Sequence, residues 1–195
     1  MVSNWEQNIL TVSTILRRLS IRDRSGQELM HDEAIQHWKE LALRIRNTWK
    51  TVFFVGNGAS ASLASHFAAD IAKNAGVRSK VFTDLSLITA VANDLCYEEV
   101  YAEPLRWDMN EGDMLVAISS SGNSPNIVRA VEMTRSLGGI AITLSAMRED
   151  NRIRKMGDLN FYVPAQTYGL AETAHAAILH YWMDTMEQSK EGRTV

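Results

Sequence analysis

Short apolar runs alternate along the chain with stretches in which apolar residues recur every three to four positions. The runs predict strands, and the periodic stretches predict helices. The predicted strands cover 52–55, 79–83, 113–119, 139–145 and 158–163. The predicted helices among them cover 59–73, 85–95, 99–107, 125–137, 151–155 and 172–187. This alternation predicts an α/β fold with a doubly wound, five-stranded parallel sheet.

Two amphipathic helices are predicted ahead of the sheet. They cover 4–20 and 33–49, with 21–30 as a polar connector and Asp32 as the N-cap of the second helix. Their apolar stripes are Trp5, Ile9, Val12, Leu16 and Leu19, then Ala34, Trp38, Leu41, Ile45 and Trp49. Because two helices cannot bury two apolar faces alone, we expect residues 1–50 to pack against another subunit and 51–195 to form the α/β core.

A glycine-containing loop joins the first predicted strand to an alanine-rich helix. The loop reads Gly56-Asn57-Gly58, and the helix that follows exposes its first N–H groups at the carboxyl edge of the sheet. Such a helix start attracts anions, and phosphate above all. The loop is not a dinucleotide-binding GxGxxG sequence, because Ala61 stands where the third glycine would be, and no GK[ST] motif is present.

A hydroxyl-rich loop follows the third predicted strand and precedes Pro125, a residue favoured in the first turn of a helix. Its serines are Ser119, Ser120, Ser121 and Ser124, the last of them a natural N-cap. The simplest interpretation is a capped, solvated turn. Together with Asn57 and Ser60 on the neighbouring loop, however, these neutral donors favour a phosphate-binding site at the carboxyl edge.

Two helices carry the side chains best suited to chemistry. His66 and Asp70 are four residues apart on one helix face, and Glu172, His175 and His180 lie on the last helix. These groups could bind a divalent metal, transfer protons as an acid–base pair, or form a solvated, ion-paired surface. Spacing alone leaves all three alternatives open.

The remaining histidines and the cysteine are not predicted to act in a site. His31 and His37 are expected at the surface, and the single Cys96 is expected to be a small core residue. One cysteine excludes an internal disulfide and suits a reducing, cytoplasmic location.

Composition narrows the function classes. The 195 residues include 46% hydrophobic and 22% charged residues and carry a net charge of −3, as expected for one soluble globular domain. This negative net charge does not predict binding to nucleic acid or to an anionic membrane. No run approaches the roughly 18 apolar residues of a membrane span, and the first residues do not resemble a signal peptide.

The segments GNGASASLASHFAAD and DMLVAISSSGNSPNIVRAVEMTRSLGGIAITL together resemble the sugar isomerase (SIS) domain family, which has a flavodoxin-like fold. The run SSSGNS after a strand carries the resemblance to the superfamily. GNG with a following serine, HFA, and the late glutamate–histidine helix resemble its phosphoheptose isomerase branch. The resemblance extends over nearly the whole chain.

The resemblance implies a function and a site. It implies an aldose–ketose isomerase that interconverts sedoheptulose 7-phosphate and an aldoheptose 7-phosphate through an enediolate, as a homotetramer with active sites between subunits. It implies catalysis by Asp70 and His180 and a zinc site formed by His66, Asp70, Glu172 and His180. The implied substrate-binding residues are Asn57, Ser60, Asp94, Ser119, Ser120, Ser121, Ser124 and Glu172.

The chain departs from the family pattern at four positions. Asp70 replaces the usual Glu, and Glu172 replaces the usual Gln. Asn74 stands where Arg is expected, and Gly169 where Asp is expected. The added charge of Glu172 favours a metal cation. The departures bear on the identity of the sugar more than on the reaction type.

A second hypothesis is a non-catalytic SIS protein that associates with a replication initiator or senses sugar phosphates. A sensor of this kind would have to act without a DNA-binding motif, which the sequence lacks. An initiator-associating protein has no need of His66, Asp70, Glu172 and His180 together, so their joint presence favours the isomerase.

Overall fold

The structure is a computed structural model that describes residues 4–187. The helices are α1 (Trp5–Arg17), α2 (His31–Asn47), α3 (Ala59–Ala75), α4 (Leu85–Asp94), α5 (Ala102–Asp108), α6 (Pro125–Ser136) and α7 (Tyr168–Glu187). The strands are β1 (Ser20–Asp23), β2 (Thr51–Gly56), β3 (Arg78–Val81), β4 (Met114–Ser119), β5 (Ile140–Ala146) and β6 (Leu159–Val163). Short 3-10 helices cover Tyr97–Glu99 and Ile153–Lys155.

The sheet has the strand order β1-β6-β5-β4-β2-β3. The predicted strands all pair in parallel, and β1 adds an antiparallel sixth strand at the β6 edge. The α/β class and the parallel core are therefore confirmed, whereas the interpretation of 21–30 as a simple connector was wrong. Only Ile21 of β1 is fully buried, so this strand lacks the apolar run that marks the others.

Two apolar clusters cover the two faces of the sheet. One cluster is formed with residues of α2, α3 and α7, and the other with residues of α5 and α6. The parallel strands β2, β4, β5 and β6 are buried almost throughout, as in β4, where all positions are buried, whereas the edge strand β3 is not. This burial on both faces explains why these strands read as continuous apolar runs.

The second N-terminal helix belongs to the core of its own chain. Ala34, Trp38 and Ile45 of α2 are buried in the same cluster as α7. The inference that α2 needs another subunit to cover its apolar face was therefore wrong, whereas the packing of residues 1–50 against another subunit stays a prediction. In α1, by contrast, Trp5 and Ile9 remain exposed.

Several local predictions also need correction. Met30, not Asp32, occupies the N-cap of α2, and Asp32 lies in the first turn of that helix. Trp49 lies beyond the end of α2 and is exposed, and Cys96, expected in the core, is exposed as well. The last helix begins at Tyr168, one turn before its predicted start. Between residues 4 and 187, no helix has the length and apolar character needed to cross a bilayer.

Candidate active site

Two loops meet at the carboxyl edge of the sheet. Because β2 and β4 are hydrogen-bonded neighbours, the loop after β2 and the loop after β4 lie side by side. Between them and the first turn of α7 lies a pocket of about 270 Å³. The predicted substrate residues that line this pocket are Asn57, Ser60, Ser119, Ser120, Ser121, Ser124 and Glu172. Tyr168 lines it as well and was not predicted.

The pocket offers neutral donors and two helix starts to an anion. No Lys or Arg is among the described residues that line it, and Glu172 is its one charged side chain. The helices α3 and α6 both begin at its wall, where the helix dipole is positive. Hydroxyls, backbone N–H groups and helix dipoles are groups that suit an anion such as phosphate, and a carboxylate is a group that accepts hydrogen bonds from hydroxyls.

The serine loop is held in a tight conformation. Gly122 has a φ of +63°, and a Cβ at this position would lie 2.0 Å from Oδ1 of Asn151. The Oγ atoms of Ser119 and Ser121 accept the N–H groups of Gly122 and Asn123 at 3.2 Å. Ser124 occupies the N-cap position of α6 but makes no side-chain capping bond. Its Oγ accepts a hydrogen bond from Ser119 Oγ at 3.4 Å and lies at the pocket wall.

A second polar cluster lies where α3 packs against α7. His66 Nε2 lies 3.2 Å from Asp70 Oδ2, and the rings of His66 and His180 lie 5.5 Å apart between centroids. One nitrogen or oxygen of each of His66, Asp70 and His180 falls within 4.8 Å of the others. Phe67 lies edge-on to His180 at 4.8 Å and supports its ring from the apolar side. The structure thus brings together three of the four predicted metal ligands, including both predicted catalytic residues.

Glu172 and Asp94 lie apart from this cluster. Glu172 is in the serine pocket, eight residues before His180 on α7 and so about 12 Å away along the helix axis. Asp94 is exposed at the end of α4, where its Oδ1 accepts a hydrogen bond from Asn93, and it does not line the pocket. A sequence motif predicts which residues belong to one loop, but it does not predict how α4, and with it Asp94, packs relative to the pocket.

The two helices connect the pocket to the cluster. On α3, Ser60 lines the pocket and His66 lies about 9 Å further along the helix axis. On α7, Glu172 and His180 are separated in the same direction. The side chain of His66 is 50% exposed and that of Asp70 is 26% exposed, so the cluster is open to a ligand or to a neighbouring chain.

Comparison with known proteins places this arrangement in a family. A family model described as the SIS domain matches residues 25–146. A phosphoheptose isomerase from Helicobacter pylori (strain P12) is 34% identical over 143 residues, which make up 70% of this chain and 74% of the relative. A phosphoheptose isomerase from Syntrophotalea carbinolica is 31% identical over 186 residues, or 92% of this chain and 93% of the relative.

A solved structure agrees with the sequence relatives. Phosphoheptose isomerase GmhA from Neisseria gonorrhoeae matches with a TM-score of 0.80 at 26% identity, covering 92% of this chain and 93% of that chain. The family model covers more than half of the sequence, and relatives above 30% identity extend over most of it. The chain therefore belongs to the SIS domain family, alongside its phosphoheptose isomerase members.

Proposed function

We propose that this protein is a phosphosugar aldose–ketose isomerase that interconverts sedoheptulose 7-phosphate and an aldoheptose 7-phosphate. The observation that carries the proposal is that α3 and α7 each present side chains both to the serine pocket and to the histidine–carboxylate cluster. Phosphoheptose isomerase relatives that align along most of the chain support the same substrate class. An extended heptose phosphate has a phosphate at one end and the reacting carbons at the other.

The phosphate anchors the substrate in the serine pocket, and this binding energy positions C1 and C2 at the cluster. Asp70 or His180 removes the proton from C2 of the aldose and returns it to C1 of the resulting enediolate. The other residue exchanges the proton between the O1 and O2 oxygens. A carboxylate and an imidazole suit this relay, because their oxygen and nitrogen atoms lie within 4.8 Å of one another.

We further propose that the cluster holds a zinc ion. Two imidazoles and one carboxylate, from His66, Asp70 and His180, fit the donor set of a catalytic zinc site with three protein ligands. Glu172 would be the fourth ligand, with its side chain turned from the pocket toward the cluster. When bound, the metal would supply Lewis-acid polarisation of the substrate carbonyl.

The reaction is tested by incubating the protein with sedoheptulose 7-phosphate in deuterated water and following product and label by NMR. Deuterium at C2 of an aldose product is the expected result.

Asp70→Asn and His180→Ala should each lower turnover by about 10²–10⁴-fold, the usual contribution of general acid–base groups. The exposed α2 residues provide controls, because Asp32→Asn and His37→Ala should turn over at the wild-type rate. Wild-type rates in the Asp70 and His180 variants would refute the mechanism.

The metal is tested separately from turnover. Protein purified in the presence of zinc should contain about one zinc ion per chain by elemental analysis, and His66→Ala should lose most of it because one of three ligands is removed. Chelation should lower the activity of the wild-type protein, and added zinc should restore it. Equal metal content in His66→Ala and His37→Ala would contradict the assignment.

We also propose a homotetramer with active sites between subunits, working as a single domain in the cytoplasm. The exposed cluster and the exposed apolar residues of α1 support intersubunit burial. No partner beyond the sugar phosphate and other copies of the chain is proposed.

A further inference from the structure

The side chain of Asn57, which lines the serine pocket, is held by a reciprocal pair of hydrogen bonds. Asn57 Nδ2 donates to Asn126 Oδ1 at 2.9 Å, and Asn126 Nδ2 donates to Asn57 Oδ1 at 2.9 Å. Asn57 follows β2, whereas Asn126 lies in the first turn of α6, directly after the serine loop. The amide pair therefore ties together the two loops that form the pocket.

Both Asn57 and Asn126 are held by further contacts with buried groups. Asn126 is 1% exposed, and its Oδ1 also accepts the N–H of Ile127 at 3.0 Å. Tyr101, which is 5% exposed, donates its hydroxyl to the carbonyl of Gly56 at 2.5 Å, and the same oxygen lies 3.4 Å from Asn57 Oδ1. Burial raises the pKa of Tyr101 to about 12, so the phenol keeps its proton at neutral pH.

The hydrogen bonds between Asn57 and Asn126 decide which side of the Asn57 amide faces a ligand. A side-chain amide has two N–H donors and one carbonyl oxygen. The carbonyl of Asn57 faces Asn126 and Tyr101, and one N–H is used by Asn126. The second N–H is the group left for the pocket, and a donor is what a phosphate oxygen requires.

We propose that Asn126, supported by Tyr101, is a positioning residue that orients Asn57 as a donor and couples the two phosphate-binding loops. This role deepens the proposed function and rests on it. Asn126 does not line the pocket, so it acts on a bound phosphate through Asn57. Its effect falls on affinity for the phosphorylated end of the substrate, since the proton-transfer groups lie further along α3 and α7.

The test compares Asn126→Ala with a control that breaks another buried side-chain hydrogen bond. Thr143 Oγ1 donates to Asn160 Oδ1 at 2.9 Å within the sheet and does not line the pocket, so Thr143→Val is the control. The loss of one or two hydrogen bonds predicts that Asn126→Ala raises KM by about three- to tenfold and leaves kcat within about twofold. Thr143→Val should lower Tm without changing KM.

Two further variants keep the test independent of folding. Tyr101→Phe removes only the hydroxyl and should raise KM in the same direction by a smaller factor. The double variant Asn57→Ala/Asn126→Ala should be no weaker in binding than Asn57→Ala alone, because Asn126 acts through Asn57. A KM for Asn126→Ala equal to that of Thr143→Val, a fall in kcat alone, or additive effects in the double variant would each overturn the proposal.

Calorimetric titration with inorganic phosphate separates this proposal from the proposed function. The Kd for phosphate should rise in Asn126→Ala by the same factor as KM, whether or not the wild-type protein isomerises sedoheptulose 7-phosphate. A wild-type protein that binds phosphate without turnover would refute the isomerase alone. A wild-type protein that binds no phosphate would refute the positioning role of Asn126, whatever the result of the turnover assay.

Discussion

His175 shows how one residue can be titratable and yet lie outside the chemistry. It is fully buried on α7, close to the backbone of Ser145. Burial lowers the pKa of His175 to about 4 from its ordinary value of 6.5, because the charged form is desolvated. The neutral imidazole is therefore a core residue at neutral pH.

This burial predicts a pH dependence of stability. Between pH 6.5 and about 4 the unfolded chain protonates His175 and the folded chain does not, so the free energy of unfolding falls as the pH falls through this window. The full loss is about 3 kcal/mol. Denaturant unfolding of wild type and His175→Leu at several pH values should show a flatter profile for the variant. His37→Gln, on the exposed side of α2, should keep the wild-type profile, and equal slopes in all three proteins would contradict the prediction.

The candidate site was predictable where its residues are local to a motif. The serines at 119–124 and Asn57 follow strands directly, and parallel strands bring their carboxyl ends to one edge. Asn126 and Tyr101 gave no such signal, because their importance comes from contacts with residues 69 and 44 or 45 positions away. The long-range placement of a polar side chain is decided by packing, which one sequence does not display.

At the scale of elements, α2 is fixed to α7 by two stacked tryptophans. Trp38 and Trp182 lie 4.1 Å apart between centroids with 9° between their planes, and both are fully buried. Trp38→Ala should lower the free energy of unfolding by about 3–5 kcal/mol, the usual cost of truncating a buried aromatic residue. Trp49→Ala removes a tryptophan that is 77% exposed and should change stability by no more than about 0.5 kcal/mol. Denaturant unfolding of the two variants makes the comparison, and equal losses would show that α2 is not part of the core.

The sequence predicted elements well where one physical signal dominated. Strands buried on both faces and the amphipathic α3 and α6 were found within a few residues of their bounds. β1 was missed because its stability comes from antiparallel pairing with β6 and from the single buried Ile21. The burial of the apolar face of α2 within its own chain was missed because the space for that face is created by α7, nearly 150 residues later in the chain.

At the scale of the whole molecule, α1 has an apolar face that residues 4–187 do not fully cover. Trp5 is 75% exposed and Ile9 is 51% exposed, and both line a groove of about 560 Å³ beside the start of α7. A patch of this kind is typical of a surface that another protein buries. The same turn of α7 carries Tyr168 and Glu172 into the serine pocket, so burial of this groove would also order the pocket wall.

The proposed tetramer therefore predicts that assembly and activity fall together. Ile9→Lys places a charge in the apolar groove and should convert the tetramer to smaller species in multi-angle light scattering at micromolar concentration. Turnover per chain should fall with it, because the cluster and pocket are then left open to solvent. Gln7→Lys adds the same charge to the same helix outside the groove and should leave both assembly and turnover unchanged. A wild-type protein that is monomeric at this concentration, or an Ile9→Lys variant that remains tetrameric, would show that α1 does not join the subunits.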